Sequence, residues 1–406
     1  MSGRRALALR DALVVALVVG LAVSITLSET SLVVLAVWLV WTRHARTMSR
    51  TSWPLLAPVL AFSAWSILTA ALSSTPLESL RATKTLLPLA TLWIVFGVLD
   101  DASAARRFAS RLLWALAGVA VVSIVQVATC APSWLDAVDW SLPPVVRSVF
   151  GKCRRAHGFY SIYMTLGGVL AVALAATLPT LAVAGRRRAA TIAAWLTSAV
   201  ALALTLVRGA WLGFGAGVLF ALTGVRRWSI AIAVVAAAVL LLLAVPRVRQ
   251  RAETIADPAD PTARERLAMF DAGLTMLRSH PVTGVGLGGV KRLYPTYAPP
   301  EAVRRHTSHL HNTPLQIAVE RGLVGLALWF WIFAAFFARA WGVLRRVPGD
   351  AVADRALVVG ALAAVTAFLV AGLFEYNFGD TEVLLVTLSV MALPFVVERD
   401  LAGRPA

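Results

Sequence analysis

The chain has 406 residues, of which 59% are hydrophobic and 15% are charged. The hydrophobic share is too high and the charged share too low for an ordinary soluble domain, so the composition predicts a membrane protein with several spans. The net charge of +17 does not point to nucleic acid, because membrane proteins carry arginines in their cytoplasmic loops to set orientation.

Apolar stretches recur along the chain at lengths near the roughly 20 residues that a helix needs to cross about 30 Å of hydrocarbon. We predict twelve spans, at 11–28, 31–42, 54–72, 85–99, 111–129, 159–183, 191–207, 209–224, 228–245, 315–338, 356–374 and 382–397. The first follows Arg4, Arg5 and Arg10 as a signal peptide would, but no small-residue cleavage site comes after it, so we interpret it as a span. The prediction is an all-α polytopic protein with both termini on one side.

The basic residues of alternate loops indicate the orientation. Every loop on the side of the termini carries at least two, and the short run 184–189 carries three arginines. By the positive-inside rule this side is cytoplasmic, and the long polar interval after the ninth span lies outside. The predicted organisation is therefore helices one to nine in 1–245, one large outer loop in 246–314, and helices ten to twelve in 315–406.

Some basic residues lie at or near span ends on the outer face, where topology does not explain them. They are Arg81, Lys84 and Arg208, with Arg155 at the end of the loop 130–158. Because guanidinium groups match phosphate oxygens in pairs, we interpret the set as a site for a phosphate-bearing ligand. The alternative is that these side chains reach lipid headgroups or pair with Glu78, Glu320 and Glu375.

The loop 130–158 contains the only two cysteines, Cys130 and Cys153. An oxidising compartment would allow them to form a disulfide, or they are two separate thiols, and the sequence leaves both open. They lack the spacing of metal ligands.

The outer loop contains signals for a helix and a turn. Asp260-Pro261 predicts a helix start, and Leu267, Phe270, Leu274 and Leu277 form an amphipathic stripe that would lie against the membrane or the bundle mouth. The run from Gly284 to Gly289 contains the letters GxGxxG, but no strand precedes it, so it predicts a tight turn rather than a dinucleotide site.

Three histidines, His306, His309 and His311, precede the tenth span. Thr313-Pro314-Leu315-Gln316 predicts a capping box with Thr313 as N-cap, which places His311 at the positive end of a helix. That position favours a neutral imidazole, able to accept a proton. No cysteine is near and carboxylates are sparse around the histidines, so we predict no metal site.

Several motifs together resemble the O-antigen ligase and polymerase superfamily. The run His311-Asn312-x-x-Leu315-Gln316 is followed by Glu320-x-Gly322-x-x-Gly325, and earlier segments agree in order. Those segments are Arg155-x-x-Gly158, Arg208-Gly209-Ala210, and Arg266-x-x-x-Phe270 ahead of His280-Pro281-x-x-Gly284-x-Gly286. The family usually has tryptophan where Phe270 stands. The motifs cover about 155–325, and the topology agrees over nearly the whole chain.

This resemblance implies a bacterial inner-membrane glycosyltransferase with a GT-C-related fold, a large periplasmic loop that carries short helices and the active site, and no metal or other cofactor. The implied donor is a glycan such as O-antigen on undecaprenyl diphosphate. In ligase members the acceptor is lipid A-core oligosaccharide, and transfer inverts the anomeric centre.

By match to the motifs, the resemblance implies His311 as the general base and Arg208 and Arg266 as stabilisers of the leaving diphosphate. Arg155 and Lys84 would hold phosphates more loosely. We predict further substrate contacts from Arg81, Asn312, His309 and Arg305, and the sequence leaves open whether His309 or His311 is the base.

Other functions remain as alternatives. A polymerase or a protein-glycosylating ligase of the same superfamily would use similar residues with another acceptor, although one dominant loop after the ninth span favours the lipopolysaccharide ligase. A lipid-linked sugar flippase would show internal repeats and charges at mid-membrane, and we find no repeat. A non-enzymatic scaffold would leave the arginines and histidines unexplained. The sequence identifies neither the glycan, the acceptor hydroxyl nor the oligomeric state.

Overall fold

The computed structural model describes residues 3–42, 53–129, 154–185, 187–224, 236, 246–254, 260–300 and 302–403. Within these ranges the chain is helical and contains no strand. The α-helices are α1 (Gly3–Val23), α2 (Ile25–Trp41), α3 (Leu56–Ala71), α4 (Pro76–Ala82), α5 (Thr91–Val98), α6 (Ala102–Ala128), α7 (Tyr163–Thr177), α8 (Arg188–Leu204), α9 (Arg208–Gly224), α10 (Pro246–Glu253), α11 (Pro261–Ser279), α12 (Gly289–Tyr297), α13 (Thr313–Arg346), α14 (Val352–Ala371) and α15 (Thr381–Ala402). Two 3-10 helices lie at Thr83–Ala90 and Leu178–Ala182.

Six helical stretches of the described chain are long and apolar enough to cross a membrane. They are Ala6–Val23, Ala102–Ala128, Tyr163–Ala182, Thr313–Arg346, Val352–Ala371 and Thr381–Ala402. Shorter apolar helices lie at Ile25–Trp41, Leu56–Ala71, Arg188–Leu204 and Arg208–Leu222. The chain is therefore an all-helical polytopic membrane protein, while the total of twelve spans stays a prediction.

Two of the predicted spans do not correspond to one continuous described helix. The span predicted at 85–99 forms two pieces, the 3-10 helix that contains Pro88 and then α5. Proline lacks the N–H that an α-helix needs and its ring crowds the preceding turn, which explains the interruption. The span predicted at 228–245 lies outside the described residues except for residue 236, and Cys130 and Cys153 lie outside them as well.

Small residues bring α9 and α14 into close contact at the bundle centre. Gly209, Gly213 and Gly217 fall at four-residue intervals on α9. A Cβ added at Gly213 would lie 2.5 Å from the carbonyl oxygen of Ala367, and one at Gly217 would lie 2.7 Å from that of Ala363. Stripes of small residues allow this kind of backbone approach between membrane helices. The packing fixes the position of Arg208, the first residue of α9.

The predicted hairpin between the seventh and eighth spans is confirmed. Helix α8 ends at Leu204 and α9 begins at Arg208, and Leu206 at the tip has a φ of +56°. The N–H of Ala156 donates to the carbonyl of Leu204 at 3.0 Å. The hairpin tip is thereby joined to the segment that carries Arg155.

Helix α13 is broken at Gly322, where φ is +69° and ψ is 179°. The glycine-rich run after α11 packs into this break. The N–H of Leu323 donates to the carbonyl of Pro281 at 2.8 Å. The N–H groups of Val285 and Gly286 donate to the carbonyls of Val319 (2.8 Å) and Glu320 (3.1 Å). The predicted tight turn is confirmed, since Gly284, Gly286 and Gly288 all have positive φ.

We expect Gly322→Ala to lower the apparent melting temperature of the purified protein by several degrees. The backbone conformation at Gly322 is one that only glycine adopts readily, and forcing another residue into such a region costs about 1–3 kcal/mol. In addition, an added Cβ would lie 1.8 Å from the carbonyl oxygen of Val282. The measurement is thermal unfolding in detergent. Gly342→Ala is the matched control in the same helix, because its Cβ would have no neighbour within 4 Å. Equal melting temperatures for the two variants would contradict the prediction.

Helix α11 begins as predicted but buries a different face. Asp260 is the N-cap, and its carboxylate accepts from the N–H groups of Thr262 and Ala263. Leu267 and Phe270, the first two positions of the predicted stripe, are 63% and 43% exposed, so they do not pack on the bundle and their contact with the membrane stays a prediction. The buried residues are Met269, Ala272, Gly273 and Met276. Gly273 explains why this face packs against the protein, because the missing side chain allows those of Leu310 and Leu315 to come close.

Candidate active site

A cavity of about 300 Å³ lies where the α8–α9 hairpin tip, the start of α7, α11 and the segment before α13 meet. We call it the His311 cavity. Its lining residues are Arg155, Tyr163, Met164, Leu206, Val207, Arg208, Arg251, Pro261, Thr262, Glu265, Arg266, Met269, Val303, Arg304 and His311. Residues from four predicted motif segments therefore share one cavity.

Arg208 is 9% exposed and joins the hairpin tip to the start of α11. Its Nη2 donates to Oδ1 of Asp260 at 2.9 Å, and its Nη1 donates to the carbonyl and the hydroxyl of Thr254. Burial alone would raise the pKa of Asp260, but the hydrogen bond and charge of Arg208 outweigh it and lower that pKa. Asp260 is therefore ionised at neutral pH and holds the guanidinium of Arg208 at the cavity wall.

Two further arginines lie close to Arg208. Arg251 on α10 donates to Oδ2 of Asp260 at 3.1 Å, while its buried Nε has no hydrogen-bond partner among the described residues. Burial and then the charge of Arg208 lower the pKa of Arg251, and the charge of Arg155 lowers it further. The guanidinium of Arg155 lies 4.4 Å from the ring centroid of Tyr163. Crowded cations and an unsatisfied donor are the features expected of an anion site.

His311 and Arg266 share one carboxylate. The Nδ1–H of His311 donates to Oε1 of Glu375, and the Nη2 of Arg266 donates to Oε2 of the same residue at 3.1 Å. A proton on Nδ1 leaves Nε2 as the acceptor, the tautomer that a general base needs. His311 has a φ of +50°, an uncommon value for a residue other than glycine, and such outliers cluster at functional sites.

His309 lies beside His311, with ring centroids 4.3 Å apart and the planes at 84°. Burial and then the charge of His311 lower the pKa of His309 to about 4, so its imidazole is neutral at neutral pH. Its Nδ1 is buried and has no hydrogen-bond partner in the described part of the chain. His309 is not among the residues that line the cavity, whereas His311 is.

Asn312, predicted as a substrate contact, caps helix α13 in the structure. Asn312, not Thr313, is the N-cap of α13, and its Oδ1 accepts from the N–H of Leu315 at 2.9 Å. Its Nδ2 donates to the carbonyl of Leu373 at 3.0 Å. The N-cap is therefore one residue earlier than predicted, and the predicted capping box is wrong because the third helical residue is now Leu315, whose side chain has no hydrogen-bond acceptor. Gln316 accepts instead from the N–H of Leu310.

Residues 192–330 match a family model described as O-antigen ligase. The match supports membership of the O-antigen ligase superfamily. It includes Arg208, Arg266 and His311, while Arg155 precedes the matched range and Glu375 follows it. A search of the curated proteins finds no match. The superfamily assignment and the polytopic fold agree with a membrane enzyme that uses lipid-linked glycans.

The cavity does not contain every residue that the sequence predicts to contact a substrate. Arg81 and Lys84 are exposed on α4 and the following 3-10 helix, outside the lining. Arg305 donates to the carbonyls of Ala298, Pro299 and Pro300, and its neighbour Arg304 lines the cavity instead. Glu265 positions that neighbour, because its carboxylate accepts from the N–H groups of Val303 and Arg304.

The alternative that outer-face arginines pair with Glu78, Glu320 and Glu375 is correct for three arginines, none of which is among the four basic residues singled out in the sequence. Glu78 pairs with Arg292 at 2.9 Å and Glu320 pairs with Arg321 at 3.1 Å. Arg266, a predicted catalytic residue, pairs with Glu375. The sequence did not identify Arg251 as a member of the site, and it gave Glu375 only as a possible partner of an outer-face arginine.

One group of described residues has the donor atoms for a metal ion. Single donor atoms of His309, His311 and Glu375 all lie within 4.8 Å of one another. The expectation that carboxylates are sparse around the histidines is therefore wrong, because Glu375 reaches them from beyond α14. The guanidinium of Arg266 on the same carboxylate opposes a cation there.

Proposed function

We propose that the chain is an inner-membrane O-antigen ligase whose active site faces the periplasm. It would transfer a glycan from undecaprenyl diphosphate to lipid A-core oligosaccharide, with inversion and without a metal. The observation that carries this proposal is the His311 cavity, where the carboxylate-bound His311 lies with Arg155, Arg208, Arg251 and Arg266.

The chemistry follows from these side chains. Nε2 of His311 takes the proton of the acceptor hydroxyl as its oxygen bonds to the anomeric carbon, and Glu375 stabilises the imidazolium that forms. The bond between that carbon and the phosphate oxygen breaks, and the diphosphate leaves with the electron pair. Arg208 and Arg266 stabilise its developing charge from positions fixed before the reaction begins. Inversion results because acceptor and leaving group occupy opposite faces of the sugar.

The donor and the acceptor are both large, and the other residues would contact or support the parts of them that lie away from the reacting atoms. Arg155 and Arg251 hold donor phosphate at the cavity wall. Arg81, Lys84 and Arg305 stay predicted contacts outside the cavity. His309 packs against His311 and limits the orientations of its ring, and Asn312 fixes the backbone that carries His311.

The test is a transfer assay in detergent with undecaprenyl-diphosphate-linked glycan, rough lipopolysaccharide and EDTA. We expect capped lipopolysaccharide to form at the same rate with and without EDTA, because His311 and the arginines supply the proton transfer and charge stabilisation. If the lipid-linked glycan is lengthened and the lipopolysaccharide stays uncapped, the protein is a polymerase. If a protein acceptor is glycosylated, it is a protein-glycosylating ligase. An intact donor under all conditions would favour a flippase.

A further inference from the structure

A second cavity, of about 570 Å³, lies between the first half of α6, the 3-10 helix after α7, the turn before α8 and the start of α14. We call it the Trp114 cavity. Four arginines line it: Arg106, Arg107, Arg111 and Arg187. Ser110 and Thr180 add hydroxyl groups, and Leu113 and Trp114 add an apolar wall.

The two cavities lie at opposite ends of α14. Ala353, in the first turn of α14, lines the Trp114 cavity. The other end of α14 adjoins the segment of His311, because Gly372 accepts a hydrogen bond from the N–H of Thr313 at 2.6 Å. The 20 residues of α14 span about 30 Å, which is the thickness of the hydrocarbon layer. The Trp114 cavity therefore belongs to the membrane face opposite the His311 cavity, the face predicted to be cytoplasmic.

The charge of the Trp114 cavity is largely unbalanced. Arg106 pairs with Asp354 at the start of α14. Arg107 donates to the hydroxyl of Ser103 at 2.8 Å and lies near enough to Asp101 for its charge to stabilise that carboxylate. Arg111 and Arg187 form no ion pair with any described residue. The positive-inside rule accounts for arginines in cytoplasmic loops, but it does not require that they surround one cavity. Converging guanidinium groups are the arrangement that binds phosphate oxygens.

The apolar wall of the Trp114 cavity indicates that a phosphate bound there would belong to a lipid. The side chain of Trp114 is 43% exposed on α6, one turn further along the helix than Arg111. Tryptophan is enriched at the level of the headgroups, where its ring meets both acyl chains and water. Basic cavities between membrane helices on the cytoplasmic side bind acidic lipid headgroups. A soluble phosphate would make no use of this wall.

We propose that the Trp114 cavity binds the headgroup of an anionic phospholipid, with Arg107, Arg111 and Arg187 on the phosphate and Trp114 against the acyl chains. The site is separate from the reaction at the His311 cavity and does not depend on it.

The experiment titrates the purified full chain in neutral detergent with phosphatidylglycerol and counts bound lipid by native mass spectrometry. Phosphatidylcholine is the zwitterionic comparison, and inorganic phosphate is the soluble one. We expect phosphatidylglycerol to bind more tightly than phosphatidylcholine. Arg111→Gln and Arg187→Gln are each expected to weaken it about fivefold, the typical contribution of one basic residue at an acidic lipid surface. Arg345→Gln is the matched control, because Arg345 is exposed near the same end of the bundle but does not line the cavity.

Each contrary result overturns the proposal. Equal binding of the two lipids would remove the preference for an anionic headgroup. A loss with Arg345→Gln as large as with Arg111→Gln would reduce the effect to general surface charge. Binding of inorganic phosphate that depends on Arg111 and Arg187, without lipid binding, would assign the cavity to a soluble anion. Unchanged melting temperatures of the lipid-free variants verify that each has folded.

Discussion

His311→Ala is expected to lower the turnover of glycan transfer by about 10²–10⁴-fold, the usual contribution of a positioned general base. The imidazole lines the cavity, and Glu375 holds it in the tautomer that accepts a proton at Nε2. The loss should appear in kcat, with little change in the binding of either substrate. The measurement is the rate of lipopolysaccharide capping at saturating donor and acceptor.

His306→Ala is the matched control for this result, because His306 is exposed, lies five positions earlier and is absent from the cavity lining. We expect it to retain near-normal turnover. If His311→Ala also stays within tenfold of wild type, His311 is not the base. A large loss on His309→Ala under the same conditions would then move that role to its neighbour.

Arg208→Ala should reduce kcat by about 10²–10³-fold, the typical effect of removing one preorganised donor from a developing negative charge. Lysine supplies a point charge without the paired N–H geometry, so Arg208→Lys should recover only part of the loss. The measurement is the kcat of capping for both variants. Arg264→Ala, on the exposed face of α11 and outside the cavity lining, is expected to behave as wild type.

Arg208 also joins the hairpin tip to Asp260, so a structural effect must be separated from a catalytic one. Asp260→Asn does this, since asparagine retains a good N-cap for α11 but lacks the charge that pairs with Arg208. If Arg208 acts on the diphosphate, Asp260→Asn should be far milder than Arg208→Ala. Equal losses from the two variants would make Arg208 a structural residue.

Local features of this chain could be predicted from its sequence with good accuracy. The hairpin tip at Arg208 follows from two apolar runs with no loop of several residues between them, and the start of α11 follows from Asp260-Pro261. Gly284 and Gly286 predicted a close backbone approach without identifying what approaches. The structure supplies the answer, the break in α13 at Gly322.

The errors have physical reasons. Asn312 and Thr313 are both good N-caps, so composition does not decide between them. On α11 the predicted stripe was placed against the membrane or the bundle mouth, whereas the residues that pack on the protein lie on another face, where Gly273 allows close contact. Glu375 is 64 residues from His311 along the chain, and linear spacing carries no information on a contact made by tertiary packing. The same applies to Asp260 and Arg208, which are 52 residues apart.

The break in α13 has a consequence for how this protein matures. At the break, the carbonyls of Val319 and Glu320 and the N–H of Leu323 form hydrogen bonds with backbone groups in the run 281–286. Unpaired backbone groups cost several kcal/mol each in an apolar medium. During synthesis the run 281–286 leaves the ribosome before α13, and it must be at hand when α13 enters the bilayer. We therefore expect membrane insertion of α13 and docking of the outer segment to be coupled during biogenesis.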